Sequence, residues 1–217
     1  MRFTRTAARL LVATLTLTGA AVATAVPAAS AAGCSDLDVI VARGTGEPGN
    51  LGVIVGDPLY SAIQGKITTK TLSSYAVDYP ASITPGSVTQ GNEDLVEHVQ
   101  QQAAACANQR FVLVGYSQGA NVVGNSIGIS SEGAVVGGPI VATIPAELAP
   151  RVAALLVFGP PIGKLGKHIT GTYQGRTKEF CAQGDNICEP GGSSVPAHLS
   201  YRRNAGEAAD FVAGTVG

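Results

Sequence analysis

The residue best suited to covalent chemistry is Ser117, within Gly115-Tyr116-Ser117-Gln118-Gly119. This G-x-S-x-G spacing has a physical reason. A nucleophilic serine between a strand and a helix must stand clear of the sheet on a tight turn with strained backbone angles. Side chains two positions to either side would collide there, so both positions are glycine. The helix that follows points its first N–H groups at the serine, where negative charge develops during attack on a carbonyl. A Gly/Ser turn can match the pattern by chance. Its place here, between the apolar run Arg110 to Val114 and a helical stretch from Ala120, singles it out.

A serine hydroxyl needs a base, and the chain has three histidines. His98 falls in a long helical stretch and reads as a surface or half-buried helix residue. His168 falls in a Gly- and Lys-containing loop and reads as solvated. His198 falls in a loop shortly before the last helix. It alone leaves room for an acid in a well-marked loop after Ser117, the order nucleophile, acid, base of α/β-hydrolases. The expected acid is Asp185, in Cys181-Ala182-Gln183-Gly184-Asp185-Asn186-Ile187-Cys188. A disulfide across this segment would fix the carboxylate, whose task is to hold the imidazole in one tautomer and stabilise its charged form. An Asp in a Gly-Asp-Asn turn is also common. Glu179 and Glu189 are the other local candidates.

Acyl transfer also needs donors for an oxyanion. One is expected from the backbone N–H of Gln118, and another from the loop Ala42-Arg43-Gly44-Thr45-Gly46-Glu47, where Thr45 could add its hydroxyl. No G-K-[ST] follows this Gly-rich loop, so it makes a poor phosphate loop.

These groups need a frame. Leu37 to Ala42, Leu72 to Tyr79, Arg110 to Val114, Val152 to Phe158 and Thr177 to Cys181 read as strands. Pro58 to Ile67, Ser87 to Ala107, Ala120 to Ile127 and Ala205 to Val216 read as helices. On the longest, Leu95, Val99, Ala103 and Cys106 share one face. Strands nearly all apolar, alternating with helices, predict a parallel sheet buried under helices on both faces.

The start of the chain is different. Arg2, Arg5 and Arg9 precede an apolar run from Leu10 to Val26, then Pro27 and small residues to Ala32. This predicts a secretory signal peptide over residues 1–32, cleaved after Ala31 or Ala32, and a single domain over 33–217. A membrane anchor fits less well, because the run is short and threonine-rich. A lipoprotein signal ending at Cys34 lacks a large aliphatic residue at the usual place. No stable membrane span is expected. The formal net charge is −1, and loss of the three arginines makes the mature chain more acidic. A nucleic-acid partner, which wants a basic face, is not expected.

Four cysteines, Cys34, Cys106, Cys181 and Cys188, read in an exported chain as two disulfides with three possible pairings. Cys181 and Cys188 are close enough to clip one loop, which would leave Cys34 with Cys106. A zinc site is disfavoured because no histidine sits at ligand spacing beside a cysteine pair.

The chain resembles the cutinase family, and closely the secreted cutinase-like esterases of actinobacteria. The resemblance rests on Ala42-Arg43-Gly44-Thr45 with Glu47 and Gly49-Asn50-Leu51-Gly52, on Gly115 to Gly119, on Cys181 to Cys188 around Gly184-Asp185, and on Ala197-His198-Leu199 with Tyr201. Together these segments span nearly all of the mature chain. The resemblance implies a small α/β-hydrolase with a five-stranded, mainly parallel sheet, helices on both faces and no full lid. It implies a Ser117–Asp185–His198 triad, an oxyanion hole from Thr45 and Gln118, and disulfides Cys34–Cys106 and Cys181–Cys188. The implied substrates are cutin, polyesters and short- to medium-chain acyl esters. No metal or cofactor is implied. A monomer, secreted and in some cases associated with the cell wall, is expected. Many fungal members have serine where this chain has Thr45, which keeps the hydroxyl and adds a methyl. Pro160 to Arg176 matches no motif and is a candidate for shaping the acyl site. The alternatives are a lipase, phospholipase or acetylxylan esterase on the same fold, or a catalytically silent cell-envelope binding protein.

Overall fold

A computed structural model describes residues 33–217. The expected signal segment, 1–32, lies outside the described residues. Five strands, β1 (Leu37–Ala42), β2 (Leu72–Ala76), β3 (Arg110–Tyr116), β4 (Val152–Phe158) and β5 (Thr177–Phe180), form one sheet in the order β2-β1-β3-β4-β5. Every neighbouring pair is parallel. The helices are α1 (Asp57–Lys66), α2 (Ser87–Ala105), α3 (Gln118–Ser126), a one-turn α4 (Val195–His198) and α5 (Ala205–Val216).

The three inner strands are buried along almost their whole length, which is why they lack polar alternation. Alternate residues serve opposite faces. Val39, Val41, Val112, Val114, Leu156 and Phe158 pack with Leu59 and Ile63 of α1 and Ala208 and Val212 of α5. Ile40, Phe111, Leu113, Leu155 and Val157 pack with Leu95 and Val99 of α2 and Val122 and Val123 of α3. On α2, Ala103 packs at the margin of that second core and Cys106 is buried just beyond the helix.

Because all strands run the same way, their C-terminal ends meet along one edge, and ligands bind there in open α/β sheets. The loop 43–47 leaves β1 there, Ser117 follows β3, Gly159 follows β4 and the segment 181–188 follows β5. Strand β2 ends three residues before its predicted limit. The chain turns off the sheet so that the Tyr79 hydroxyl donates to the Arg43 carbonyl and the Ala81 carbonyl accepts the Gly46 N–H at 2.7 Å. His198 ends a one-turn helix rather than lying in a loop. Its N-cap, Ser194, accepts the Ala197 N–H at 3.1 Å, and four residues are too few to show a helical period.

Both cysteine pairs are bonded, Cys34 to Cys106 and Cys181 to Cys188, with Cα–Cα distances of 5.7 and 5.9 Å. This leaves none of the four sulfurs as a thiolate for zinc. The first bridge ties the entry to β1 to the end of α2, at the opposite end of the sheet from Ser117. It closes a loop with a sequence separation of 72, for which the chain-entropy relation gives about 4 kcal/mol of stability. The double variant Cys34→Ser/Cys106→Ser should therefore lose about 4 kcal/mol in urea unfolding. A loss below about 1 kcal/mol would contradict this role of the long bridge.

Candidate active site

Ser117 has φ +53° and ψ −116°, a positive-φ conformation rare for a residue with a side chain. The turn places its hydroxyl above the edge of the sheet, and α3 begins at the next residue. The flanking glycines are required by contact with backbone. A Cβ on Gly119 would lie 1.8 Å from the Ala42 carbonyl oxygen, and one on Gly115 would lie 2.4 Å from the Gly119 carbonyl oxygen. Backbone atoms cannot rotate aside as a side chain can.

Ser117 Oγ is 2.9 Å from His198 Nε2. His198 Nδ1 is 2.9 Å from Asp185 Oδ2 and 3.0 Å from Oδ1. The carboxylate is fully buried, and Ser117 and His198 are each 8 % exposed. Asp185 also accepts N–H groups from Ile187 at 2.7 Å and Cys188 at 3.3 Å, and the Tyr201 hydroxyl. Burial alone would raise its pKa, but hydrogen bonds from Tyr201, His198 and Ile187 outweigh that and hold the carboxyl below its ordinary value. The histidine thus has an ionised partner on one nitrogen and a serine hydroxyl on the other.

The other candidate acids and bases are placed elsewhere. His98 is half-buried on α2, bonded to Asp38 at 2.7 Å and stacked on Tyr75. His168 is exposed and pairs with Glu179 at 3.2 Å. Glu189 accepts the Gly184 N–H, bracing the loop that carries Asp185 without touching His198.

Thr45 and Gln118 are brought together beside Ser117. The Thr45 hydroxyl donates to Gln118 Oε1 at 3.4 Å, and Gln118 Nε2 donates to the Ser82 carbonyl at 2.8 Å. Among the described residues, neither backbone N–H of this pair has a protein acceptor. Both N–H groups are therefore unpaired within the protein.

Two residues to which the sequence assigned no role of their own turn out to organise the site. Glu47 is 7 % exposed and accepts the N–H groups of Gly44 at 2.7 Å and Ile54 at 2.6 Å. It fixes the peptide just before Thr45 and ties that loop to the turn leading into α1. Burial raises its pKa against the opposing pull of those amides. The sequence signal was an acid three residues after a loop glycine, close enough to reach back to its amide. The second residue is Tyr201, which three aromatic contacts and the Asp185 bond hold behind the histidine.

A cleft of about 430 Å³ opens over Ser117 and His198. Its apolar walls include Ile54, Ile83, Val135, Val136, Ile187 and Leu199. No residue of the segment 160–176 lines it, which corrects the expectation that this segment shapes the acyl site. Instead Lys164 donates to the Asn186 carbonyl at 2.7 Å, supporting the Asp185 loop from behind. The wall at Val135 and Val136 comes from the long connection after α3. Buried asparagines of that helix hold it, Asn121 donating to the Val135 carbonyl at 3.0 Å and Asn125 to that of Gly138 at 3.1 Å.

The Cutinase family profile matches residues 33–216. A cutinase of Botryotinia fuckeliana is 31% identical, with 98% of this chain and 99% of that protein covered. A cutinase of Kineococcus radiotolerans is 44% identical over 86% of this chain, which spans 63% of that protein's length. A protein of Mycobacterium tuberculosis named phospholipase Culp4 is 38% identical, with 97% and 89% covered. Among solved structures, Trichoderma reesei cutinase bound to a phosphonate inhibitor superposes with a TM-score of 0.69 at 32% identity, covering 85% of this chain and 78% of that one. An acetyl xylan esterase shares the fold, with a TM-score of 0.73 at 20% identity, covering 85% and 100%. The chain belongs to the cutinase family, a family of carboxylic ester hydrolases.

The glycine contacts give a direct check. Gly119→Ala should cost more than about 3 kcal/mol of stability, since the methyl meets fixed backbone. An unfolding free energy from urea titration within about 0.5 kcal/mol of the parent would show that the turn can relax.

Proposed function

We propose that this protein is a secreted serine esterase acting through an acyl-enzyme on Ser117. The unbroken hydrogen-bonded chain from Ser117 through His198 to Asp185 carries this reading. His198 takes the serine proton as Oγ attacks an ester carbonyl. The N–H groups of Thr45 and Gln118 receive the oxyanion. His198 then protonates the leaving alcohol, and the same base activates water to release the acid. Asp185 keeps Nδ1 protonated and stabilises the imidazolium. Every proton moves between groups of this chain, substrate and water.

The cleft supports esters with apolar acyl or alkyl parts. Ile83, Val135 and Leu199 line it and are 82 %, 50 % and 53 % exposed, and such side chains on a rim favour water-insoluble substrates. We read cutin-like polyesters and short- to medium-chain acyl esters as the substrates. The mycobacterial relative's name makes phospholipids the second reading. Two disulfides fit an oxidising compartment outside the cell, and among the described residues no helix is long and apolar enough to cross a membrane.

Ser117→Ala should lower kcat/KM for p-nitrophenyl butyrate at least about a thousandfold. Near-normal turnover by the folded variant would refute the assignment. Across p-nitrophenyl esters, activity should rise from acetate to about four to eight carbons. Faster release from phosphatidylcholine vesicles than from a polyester film would favour the second reading.

A further inference from the structure

Asp185 is held by more than its histidine. We propose that Tyr201 is a positioning residue for the catalytic acid: its phenol hydroxyl fixes the Asp185 carboxylate against His198 and shares the charge that His198 feels. This rests on Asp185 being the triad acid.

The direction of the hydrogen bond follows from the neighbours. Asp185 as a carboxylate can only accept, so the phenol must donate to Oδ2. The phenol oxygen in turn accepts the Ala182 N–H at 2.9 Å, and Cys188 Sγ lies 3.4 Å away. The hydroxyl therefore has little freedom to turn. The ring is 1 % exposed and meets Tyr116, Phe158 and His198 edge-on, with centroids 5.9, 5.9 and 6.1 Å away. Gly159, at φ +55°, lets it in, for a Cβ there would lie 2.7 Å from His198 and 3.1 Å from the Tyr201 ring.

Oδ2 serves two donors, His198 Nδ1–H and Tyr201 O–H. The phenol draws carboxylate charge away from the imidazole, and it also stops the carboxylate rotating off it. Few other ionisable groups face this pair. Glu189 sits on the same loop, with its carboxylate on Gly184 N–H. Tyr116 of β3 donates to the His198 carbonyl at 2.9 Å, and Glu47 lies beyond it. Burial raises both phenols, so Tyr201 remains a donor through neutral and alkaline pH.

The sign of the effect is fixed. Without the phenol, more negative charge faces His198 and the imidazolium is favoured. The base then loses its proton at higher pH, so the acid limb of kcat/KM moves up. Tyr201→Phe should lower kcat about ten- to a hundredfold with KM within about twofold. It should also raise the acid-limb midpoint by roughly half to one unit. 3-Fluorotyrosine at position 201 keeps the ring and donates more strongly, so it should move the limb down.

The experiment is the pH profile of p-nitrophenyl butyrate hydrolysis for these two proteins, the parent and Asp185→Asn, each checked by thermal unfolding. Unchanged kcat and limb in Tyr201→Phe overturn the proposal. A lower kcat with no limb movement in either protein also overturns it, since that is a packing effect alone. If Tyr201→Phe does not fold, the direction of the fluorotyrosine limb decides. Full activity of Asp185→Asn would instead overturn the triad reading. An inactive Asp185→Asn beside an unaffected Tyr201→Phe removes only the role of Tyr201.

Discussion

A carboxylate with no exposure to water is costly unless its lone pairs are filled. Asp185 meets that constraint with donors from His198, Tyr201, Ile187 and Cys188. Much of the C-terminal third of the molecule is arranged to deliver them. The Cys181–Cys188 bridge closes the turn that presents the two amides. Ser194, which caps α4, lies in a bridge beside Asp185, so the helix carrying His198 starts next to Asp185. Tyr201 follows three residues after the histidine, so one short segment supplies both His198 and a second tie to Asp185. Removing a donor from such a group leaves charge buried without compensation, which explains why so many contacts converge on one side chain.

Ser117 is subject to a different constraint, that of close backbone approach. Ser117 reaches the cleft only because α3 starts within contact distance of the Ala42 carbonyl, at Gly119. The same approach brings the loop after β1 alongside the first amide of α3. Glu47 fixes that loop from within, and the Gln118 side chain fixes it from the other side through Thr45 and Ser82. The groups proposed as nucleophile, base, acid and oxyanion donors come from the ends of three parallel strands and the segment after them, held by a core on each face of the sheet. Rigid strands with polar ties at their ends give the preorganisation that acyl transfer needs.

Much of this could be read from the residues. The inner strands were legible because burial on both faces forces continuous apolar runs, and Val152–Phe158 is seen as expected. Ser117 was legible because its turn leaves glycine as the only fit on both sides. The order of Ser117, Asp185 and His198 pointed to a triad, and the structure brings the three within 3.0 Å of their partners. What escaped was set by tertiary contact. The end of β2 depends on Tyr79 reaching Arg43, and the cleft wall at Val135 on asparagines of α3, neither of which leaves a periodic trace. Tyr201 and Glu47 matched a family pattern without a visible job, because a buried phenol or acid takes its role from what folds against it.

The central claim is that Ser117 is activated through His198 by Asp185. The most direct measurement is the rate at which a fluorophosphonate forms an adduct, followed by intact mass and located by peptide mapping, in the parent and in Asp185→Asn. The account predicts one adduct per chain, on Ser117, forming on the order of a thousandfold or more slowly in the variant. An adduct on another residue, or equal rates in the two folded proteins, would contradict it.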